Sequence, residues 1–270
     1  MTRPVPRPFA AVPTARLAAL RWVLTDIDDT LTTEGALTAD AYAALSALTE
    51  AGLLVVPVTG RPAGWCDMIA RFWPVAAVVG ENGALWYAMD HAARRMRRHH
   101  AQDEATRLAA RARLDALAQA AMRAVPGARI AADQPFRIFD VAVDFAEDAG
   151  PLPLAEAARI AAIFEAGGAA AKVSSIHVNA WIGDWDKLSG IRHLFATLWQ
   201  GLDGVLDQIA YLGDSPNDAP LFGAVPLSVG VANVAPFLAD IAAPPAYITQ
   251  GAGGAGFAEF ARAVIAARAA

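Results

Sequence analysis

One cysteine, Cys66, is the whole thiol content of the chain, so no intrachain disulfide can form and a reducing, cytoplasmic setting is the expectation. Long apolar runs are also missing. None approaches the roughly 18 residues that a membrane-spanning helix needs, so no membrane association is expected. A basic excess is absent too: the net charge is −5, which excludes a general nucleic-acid footprint. Lysine is scarcer still, because Lys172 and Lys187 are the sole lysines among 22 basic residues. With 56% hydrophobic and 18% charged residues, the 270-residue chain is globular and long enough for two domains. Its first twenty residues, MTRPVPRPFAAVPTARLAAL, carry four prolines that interrupt any signal-type apolar segment. They read as a loose leader.

Trp22–Thr25, Leu53–Val58 and Val75–Val79 are short Val- and Leu-rich runs, the mark of parallel strands buried on both faces. A helix between the first two begins at Thr38 as N-cap, carries the stripe Tyr42, Leu45 and Leu48, and stops at Gly52. Trp65, Ile69 and Phe72 give the next helix its apolar face. After residue 186 the alternation resumes with a helix marked by Leu188, Ile191, Phe195 and Leu198, then strands at Ile209–Leu212 and Leu227–Val231. The fold class expected is α/β, a Rossmann-like doubly wound parallel sheet. The middle differs. A long Ala/Arg-rich helix over 101–125, an alternating strand Arg137–Phe145, a helix near 153–166 and a strand near 172–182 predict an inserted α+β module. The division expected is 1–84 with 186–270 as the parallel domain and 85–185 as the insertion. The glycine run at 251–256 does not follow a strand–helix dinucleotide pattern.

Sheets of this class place their chemistry at the carboxyl ends of strands. There the first strand delivers TDIDDTLT, and a two-residue spacing aims Asp26 and Asp28 to one side. Crowded carboxylates repel unless they share a proton or a cation, and a hard cation such as Mg²⁺ suits oxygen ligands. The second strand ends VPVTGRP, offering Thr59 and the backbone N–H groups of Thr59 and Gly60 to an anion. A later strand ends AYLGDSPNDAPLF, with Asp214, Ser215, Asn217 and Asp218 in one tight loop. Each segment alone is an ordinary strand-end turn. Three such clusters on one sheet are not. In a chain that otherwise uses arginine, Lys187 at a helix start points to a need for a compact ammonium rather than a planar fork. Glu81 and Asn82 follow the third strand and are placed to support the same site.

Together DIDDTLT, VTGRP, Lys187 in WDKLSG, and GDSPND resemble the four ordered motifs of the haloacid-dehalogenase (HAD) superfamily. The gap of roughly 100 residues between the second and third, with GENGALWY, resembles the Cof-like branch with a C2B-type cap. In wording and length the chain looks closest to mannosyl-3-phosphoglycerate phosphatases and sucrose- or trehalose-phosphate phosphatases. The resemblance implies a Mg²⁺-dependent phosphatase in which Asp26 attacks phosphorus, Asp28 acts as acid and base, Thr59 holds phosphoryl oxygens and Lys187 balances charge. It implies Mg²⁺ ligation by Asp26, Asp214 and the backbone carbonyl of Asp28, with Asp218 supporting. Gly60, Arg61, Asn82, Ser215 and Asn217 fall around the phosphate. A phosphorylated sugar or sugar-acid is the substrate implied. A phosphomutase of the phosphomannomutase type, or a regulatory protein on the same fold, is the alternative. Asp29 stands where many relatives have glycine. In the insertion, Arg137 and His177 are candidates to touch substrate, RRMRRHH (94–100) reads as a solvated face, and Trp181 and Trp185 as hinge packing; Cys66, on the helix beside Trp65, reads as core.

Overall fold

The computed structural model describes residues 5–269; residues 1–4 of the N-terminal segment lie outside them. Strand β1 is Arg7–Pro8, followed by a 3-10 turn and the short helix α1, Thr14–Ala18. The first buried strand, β2, is Trp22–Thr25, and α2, Ala39–Glu50, follows with the Thr38 side chain accepting from the Ala41 N–H. Next come β3 (Leu54–Pro57), α3 (Ala63–Phe72), β4 (Val78–Gly80), β5 (Leu85–Asp90) and β6 (Arg95–His100). The insertion runs through α4 (Glu104–Ala124), β7 (Arg129–Ile130), β8 (Val141–Asp144), α5 (Leu154–Ala166), β9 (Ala170–Val173) and β10 (His177–Trp181). The chain then returns through α6 (Lys187–Leu198), β11 (Ile209–Gly213), α7 (Ala219–Ala224), β12 (Leu227–Gly230), β13 (Tyr247–Ile248) and α8 (Gly253–Ala269).

Among the described residues the central sheet is wholly parallel, in the order β1-β13-β12-β11-β2-β3. Both faces are covered, so β2, β11 and β12 are buried along their length. One face packs Val23, Val55, Leu212 and Val229 against α2 and α8; the other packs Leu24, Val56 and Tyr211 against α6 and α7. The doubly wound α/β expectation holds.

Three local expectations are corrected. The N-terminal segment is not loose: β1 adds to the sheet beside β13, and Phe9, Val12, Leu17 and Leu20 enter the core, with Phe9 5.6 Å from the Phe260 ring. Pro8 ends this edge strand, where a missing N–H costs nothing, and Pro13 stands as the N-cap of α1. In α2 the buried stripe is Ala41, Leu45 and Leu48, while Tyr42 is exposed. In α3 the buried face is Ala63, Cys66, Ile69 and Ala70; Phe72 is exposed and Trp65 half-exposed beneath the Arg61 guanidinium, 4.4 Å from its ring centre.

The middle of the chain holds two sheets. GENGALWY and RRMRRHH form the hairpin β5–β6, which pairs antiparallel with β4. A bridge from Val58 to Val79 joins it to the end of β3. The second sheet, β7-β8-β10-β9, is antiparallel and carries α4 and α5 on one face. The expected strand at Arg137–Phe145 is shorter, Val141–Asp144, because Gln134–Phe136 turn as 3-10 helix and residues 138–140 are drawn to Glu81. The segment near 172–182 is two strands, β9 and β10, folded back on each other. Period-two alternation sends Val141, Val143, Val178 and Ala180 into the helices and leaves Ala142, Asp144, His177 and Asn179 for the opposite face. Trp181 and Trp185 stack with centres 6.2 Å apart at the return to α6.

Candidate active site

Strands β2 and β11 are neighbours and parallel, so their C-terminal loops must meet. The Asp26 N–H continues the ladder to the Leu212 carbonyl at 2.9 Å, which fixes Asp26 as the last residue of the strand path. The chain then turns sharply: the N–H groups of Thr30, Leu31 and Thr32 all donate to the Ile27 carbonyl. Asp29 takes φ of 55° in this turn, a conformation that Asp tolerates better than most residues. At the end of β11, Gly213 lets the backbone pass so close to Asp218 that a Cβ there would lie 2.4 Å from its Oδ2.

Lys187, at the first turn of α6, lies between these loops with 1% exposure. Its Nζ donates to Asp26 Oδ1 at 2.8 Å and to Asp218 Oδ1 at 2.7 Å. Asp218 is saturated: Tyr211 also donates its hydroxyl to Oδ1, and Oδ2 accepts the N–H groups of Asp214 and Ser215 at 2.9 and 3.1 Å. Asp214 is held more loosely, by Thr30 Oγ1 at 3.2 Å and Asn233 Nδ2 at 3.3 Å. The carboxylates of Asp26, Asp214 and Asp218 each offer an oxygen within 4.8 Å of the others, all buried. One ammonium faces three carboxylates, so the pocket carries surplus negative charge in a low-dielectric setting. Burial, reinforced by Asp218 and Asp28, raises the Asp26 carboxyl to about 7 against the pull of Lys187. Burial and the charges of Asp26 and Asp218 push Asp214 well up. Burial works against the Lys187 ammonium, yet Asp218 and Asp26 outweigh it and hold its pKa above the ordinary value.

This donor set fits a divalent cation. Asp26 and Asp214 keep oxygens that no strong donor occupies, and hard, all-oxygen ligation suits Mg²⁺. Asp218 does not offer itself in the same way, because its lone pairs are spent on Lys187, Tyr211 and two backbone N–H groups. Its place is to hold the lysine and the loop.

Thr59, fully buried, receives the Arg61 N–H on its Oγ1 at 3.0 Å, and the Gly60 carbonyl receives Arg137 Nη1 at 2.8 Å. Asn82 accepts from Asn217 Nδ2 at 3.3 Å, and Ser215 Oγ donates to Asn217 Oδ1 at 2.9 Å, so these expected members do converge. The Asn82 Nδ2 group has no partner and is buried beside Gly60. Asn82 follows Glu81 and precedes Gly83 in a run of left-handed residues, with φ of 45°, 53° and 106°. Gly83 is required there, since a Cβ would meet the Asp186 carbonyl at 2.0 Å.

Asp28 and Arg61 form a bidentate pair, with Arg61 Nε at 2.9 and 3.0 Å from the two carboxylate oxygens. The Arg61 fork is therefore turned to Asp28 rather than to the Lys187 pocket. A cleft of about 390 Å³ opens above them, bounded by Asp28, Asp29, Glu34, Arg61, Glu147 and Ser175. His177 borders this region, with Nε2 at 2.9 Å from Glu147 Oε2 but outside hydrogen-bonding geometry. Arg137 has a different place from the one expected. It is buried and tied to Asp133, Asp140 and Gly60, which makes it a fastener of the insertion to the VTGRP loop rather than a free reader of substrate. Tyr211, Asn233, Thr30 and Glu147 were not singled out in the sequence. Asn233 follows β12 and Thr30 lies in the first motif, so the strand-end rule could have found both. Tyr211 faces the site from mid-strand, and Glu147 arrives on a distant loop, where no local signal marks them.

No family model matches the sequence, and no curated protein matches it. Solved structures do. A Thermoplasma acidophilum protein superposes with a TM-score of 0.66 at 17% identity, covering 91% of this chain and 98% of its own. A putative HAD/COF-like hydrolase from Plasmodium vivax gives 0.66 at 14%, covering 94% and 99%. The sucrose-phosphatase of Synechocystis, solved with sucrose and phosphate, gives 0.61 at 14%, covering 90% and 97%. These likenesses show the fold: the chain has the HAD-type architecture over nearly its whole length.

Proposed function

We propose that the chain is a phosphoric-monoester hydrolase that works through an aspartyl-phosphate on Asp26, with a small phosphorylated metabolite, a sugar phosphate by preference, as substrate. The observation that carries this reading is the buried Asp26–Lys187–Asp218 arrangement with Asp214 beside it, at the carboxyl ends of adjacent parallel strands. Asp26 attacks phosphorus as the bond to the leaving oxygen breaks, and Asp28 gives that oxygen its proton. Asp28 then takes a proton from the water that cleaves the acyl phosphate. Splitting the reaction into two steps makes a weak carboxylate nucleophile sufficient. Lys187 holds the reacting carboxylate in place and offsets its charge, and Thr59 faces the transferred group. Mg²⁺, held by Asp26, Asp214 and the Asp28 backbone carbonyl, would supply the remaining neutralisation of charge that monoester hydrolysis demands. The insertion, expected over residues 85–185, would read the rest of the substrate from the polar face that carries His177 and Asn179.

The test is phosphate release from a panel of phosphorylated metabolites, with and without Mg²⁺, in the parent and in Asp26→Asn. Release that needs Mg²⁺, stops in excess chelator and falls to background in the folded variant is expected. Appreciable turnover by Asp26→Asn would exclude the mechanism.

A further inference from the structure

The guanidinium of Arg61 touches three carboxylates from different parts of the chain, those of Asp28, Glu147 and Asp133. On one side its Nε bridges both oxygens of Asp28, and Nη2 lies 2.8 Å from Asp28 Oδ1. On the other, Nη2 donates to Glu147 Oε1 at 2.6 Å and Nη1 to Oε2 at 3.3 Å. Asp133 Oδ2 lies 3.5 Å from Nη1, and the Trp65 ring covers one face. The arginine is 4% exposed, so its fork is fixed by these partners rather than by water.

Glu147 is presented by a loop built for the purpose. The Asp144 carboxylate, 1% exposed at the end of β8, accepts the N–H groups of Ala146 and Glu147 on Oδ1 and those of Asp148 and Ala149 on Oδ2, all between 2.8 and 3.0 Å. Four charge-assisted bonds to one side chain hold the loop in a single shape. His177, on the neighbouring strand, flanks the Glu147 carboxylate from behind. A carboxylate of the insertion is thus carried rigidly to a guanidinium that already grips the acid–base group.

We propose that Arg61 is a positioning residue that aims the Asp28 carboxylate, and that Glu147 sets Arg61, so that the acid–base group is correctly aimed only when the insertion is seated on the parallel domain. This rests on the phosphatase reading and on Asp28 delivering the proton to the leaving oxygen. The guanidinium itself transfers nothing; it fixes the direction of a carboxyl group that hands its proton to the leaving oxygen as the P–O bond breaks and, as the carboxylate so formed, takes a proton from the attacking water. Seating the insertion would therefore do more than shield the site from water. It would complete the proton donor.

The consequence is a split by leaving group. An alkyl phosphate such as β-glycerol phosphate must have its leaving oxygen protonated, whereas p-nitrophenolate leaves without help. Arg61→Lys keeps the charge but loses the fork. It should lower kcat/KM, which ends at formation of the aspartyl-phosphate and so leaves out the later water step, by about 30-fold or more on β-glycerol phosphate, within the range general acid catalysis contributes, and by less than about threefold on p-nitrophenyl phosphate. Glu147→Gln, on a partly exposed side chain, should show the same split at about three- to tenfold. The double variant should lose less than the product of the two single losses, because both act through one carboxylate. Equal losses of kcat/KM on both esters, with folding intact by circular dichroism, would make the arginine structural and overturn the proposal. A Glu147→Gln variant with the parent's kinetics on both would remove the insertion from it. Turnover of p-nitrophenyl phosphate by the parent tests the phosphatase reading separately, and a parent inert on both esters overturns both.

Discussion

At the residue scale the site explains why one lysine survives in a chain that prefers arginine. Lys187 is buried between Asp26 and Asp218, and two donor directions at 2.8 and 2.7 Å are what a compact ammonium supplies. A guanidinium is planar and larger, and it would have to fit among the buried Tyr211, Asp218 and Asp26 side chains. Lys187→Arg should therefore destabilise the fold by about 1–3 kcal/mol through overpacking, a fall visible in Tm, and should reduce turnover by about 100-fold or more. Wild-type phosphate release by the variant would mean that charge alone suffices. The lysine was legible from composition, and so were Asp26, Asp28, Thr59, Asp214 and Asp218 from their places at strand ends. Roles within the set were not. Asp218 reads in sequence as a metal ligand like Asp214, yet only the hydrogen-bond count separates them, since Asp218 is spoken for by four donors and Asp214 by two long ones.

At the element scale the parallel strands were legible because burial on both faces writes itself as continuous Val and Leu, while the short edges were not. β1 is two residues long and carries proline, so neither periodicity nor propensity marks it; it exists because Phe9 and Leu17 behind it have α8 to pack against. The turn at residues 81–83 was equally hidden. Glu81 accepts the N–H groups of Ala63, Ile138, Phe139 and Asp140, which pins α3 and the segment leading into β8 to one carboxylate. Beside it, Arg137 occupies a loop where alternation predicts a strand. Its removal leaves Asp133 and Asp140 buried without their cation, a loss of about 3–5 kcal/mol for a broken buried network. Arg137→Ala should thus lower Tm sharply and expose the insertion to limited proteolysis, and both esters named above should suffer together. A KM effect confined to one sugar phosphate, with Tm unchanged, would return Arg137 to the role of substrate reader.

At the scale of the whole molecule, charged side chains tie the insertion to the parallel sheet, Arg61 reaching Glu147 and Asp133, and charge can be titrated. Glu147 is the test group. Its contact with His177, ahead of its bonds to Arg61, holds its carboxyl down at about 2, against an ordinary value of 4.5. In the unfolded chain the group takes up its proton near 4.5; in the folded chain it resists until about 2. Between those values the unfolded state binds more protons, so this group's contribution to stability rises with pH through that window. It is complete above 4.5 and gone once pH has fallen through the folded value. Other carboxylates also titrate in acid, which is why the measurement is a difference. Tm of the parent minus Tm of Glu147→Gln, followed from neutral pH into acid, should be positive and flat down to roughly pH 5, then shrink towards zero as pH approaches 2. Partial exposure of Glu147 screens the pairs, so 1 M salt should reduce the plateau without moving the pH at which it begins to fall. A difference that stayed constant from neutral pH to pH 2 would mean that Glu147 stabilises the junction by shape alone. The insertion and the parallel sheet would then be joined by Arg137, Glu81, the Arg61–Asp133 pair and apolar contacts.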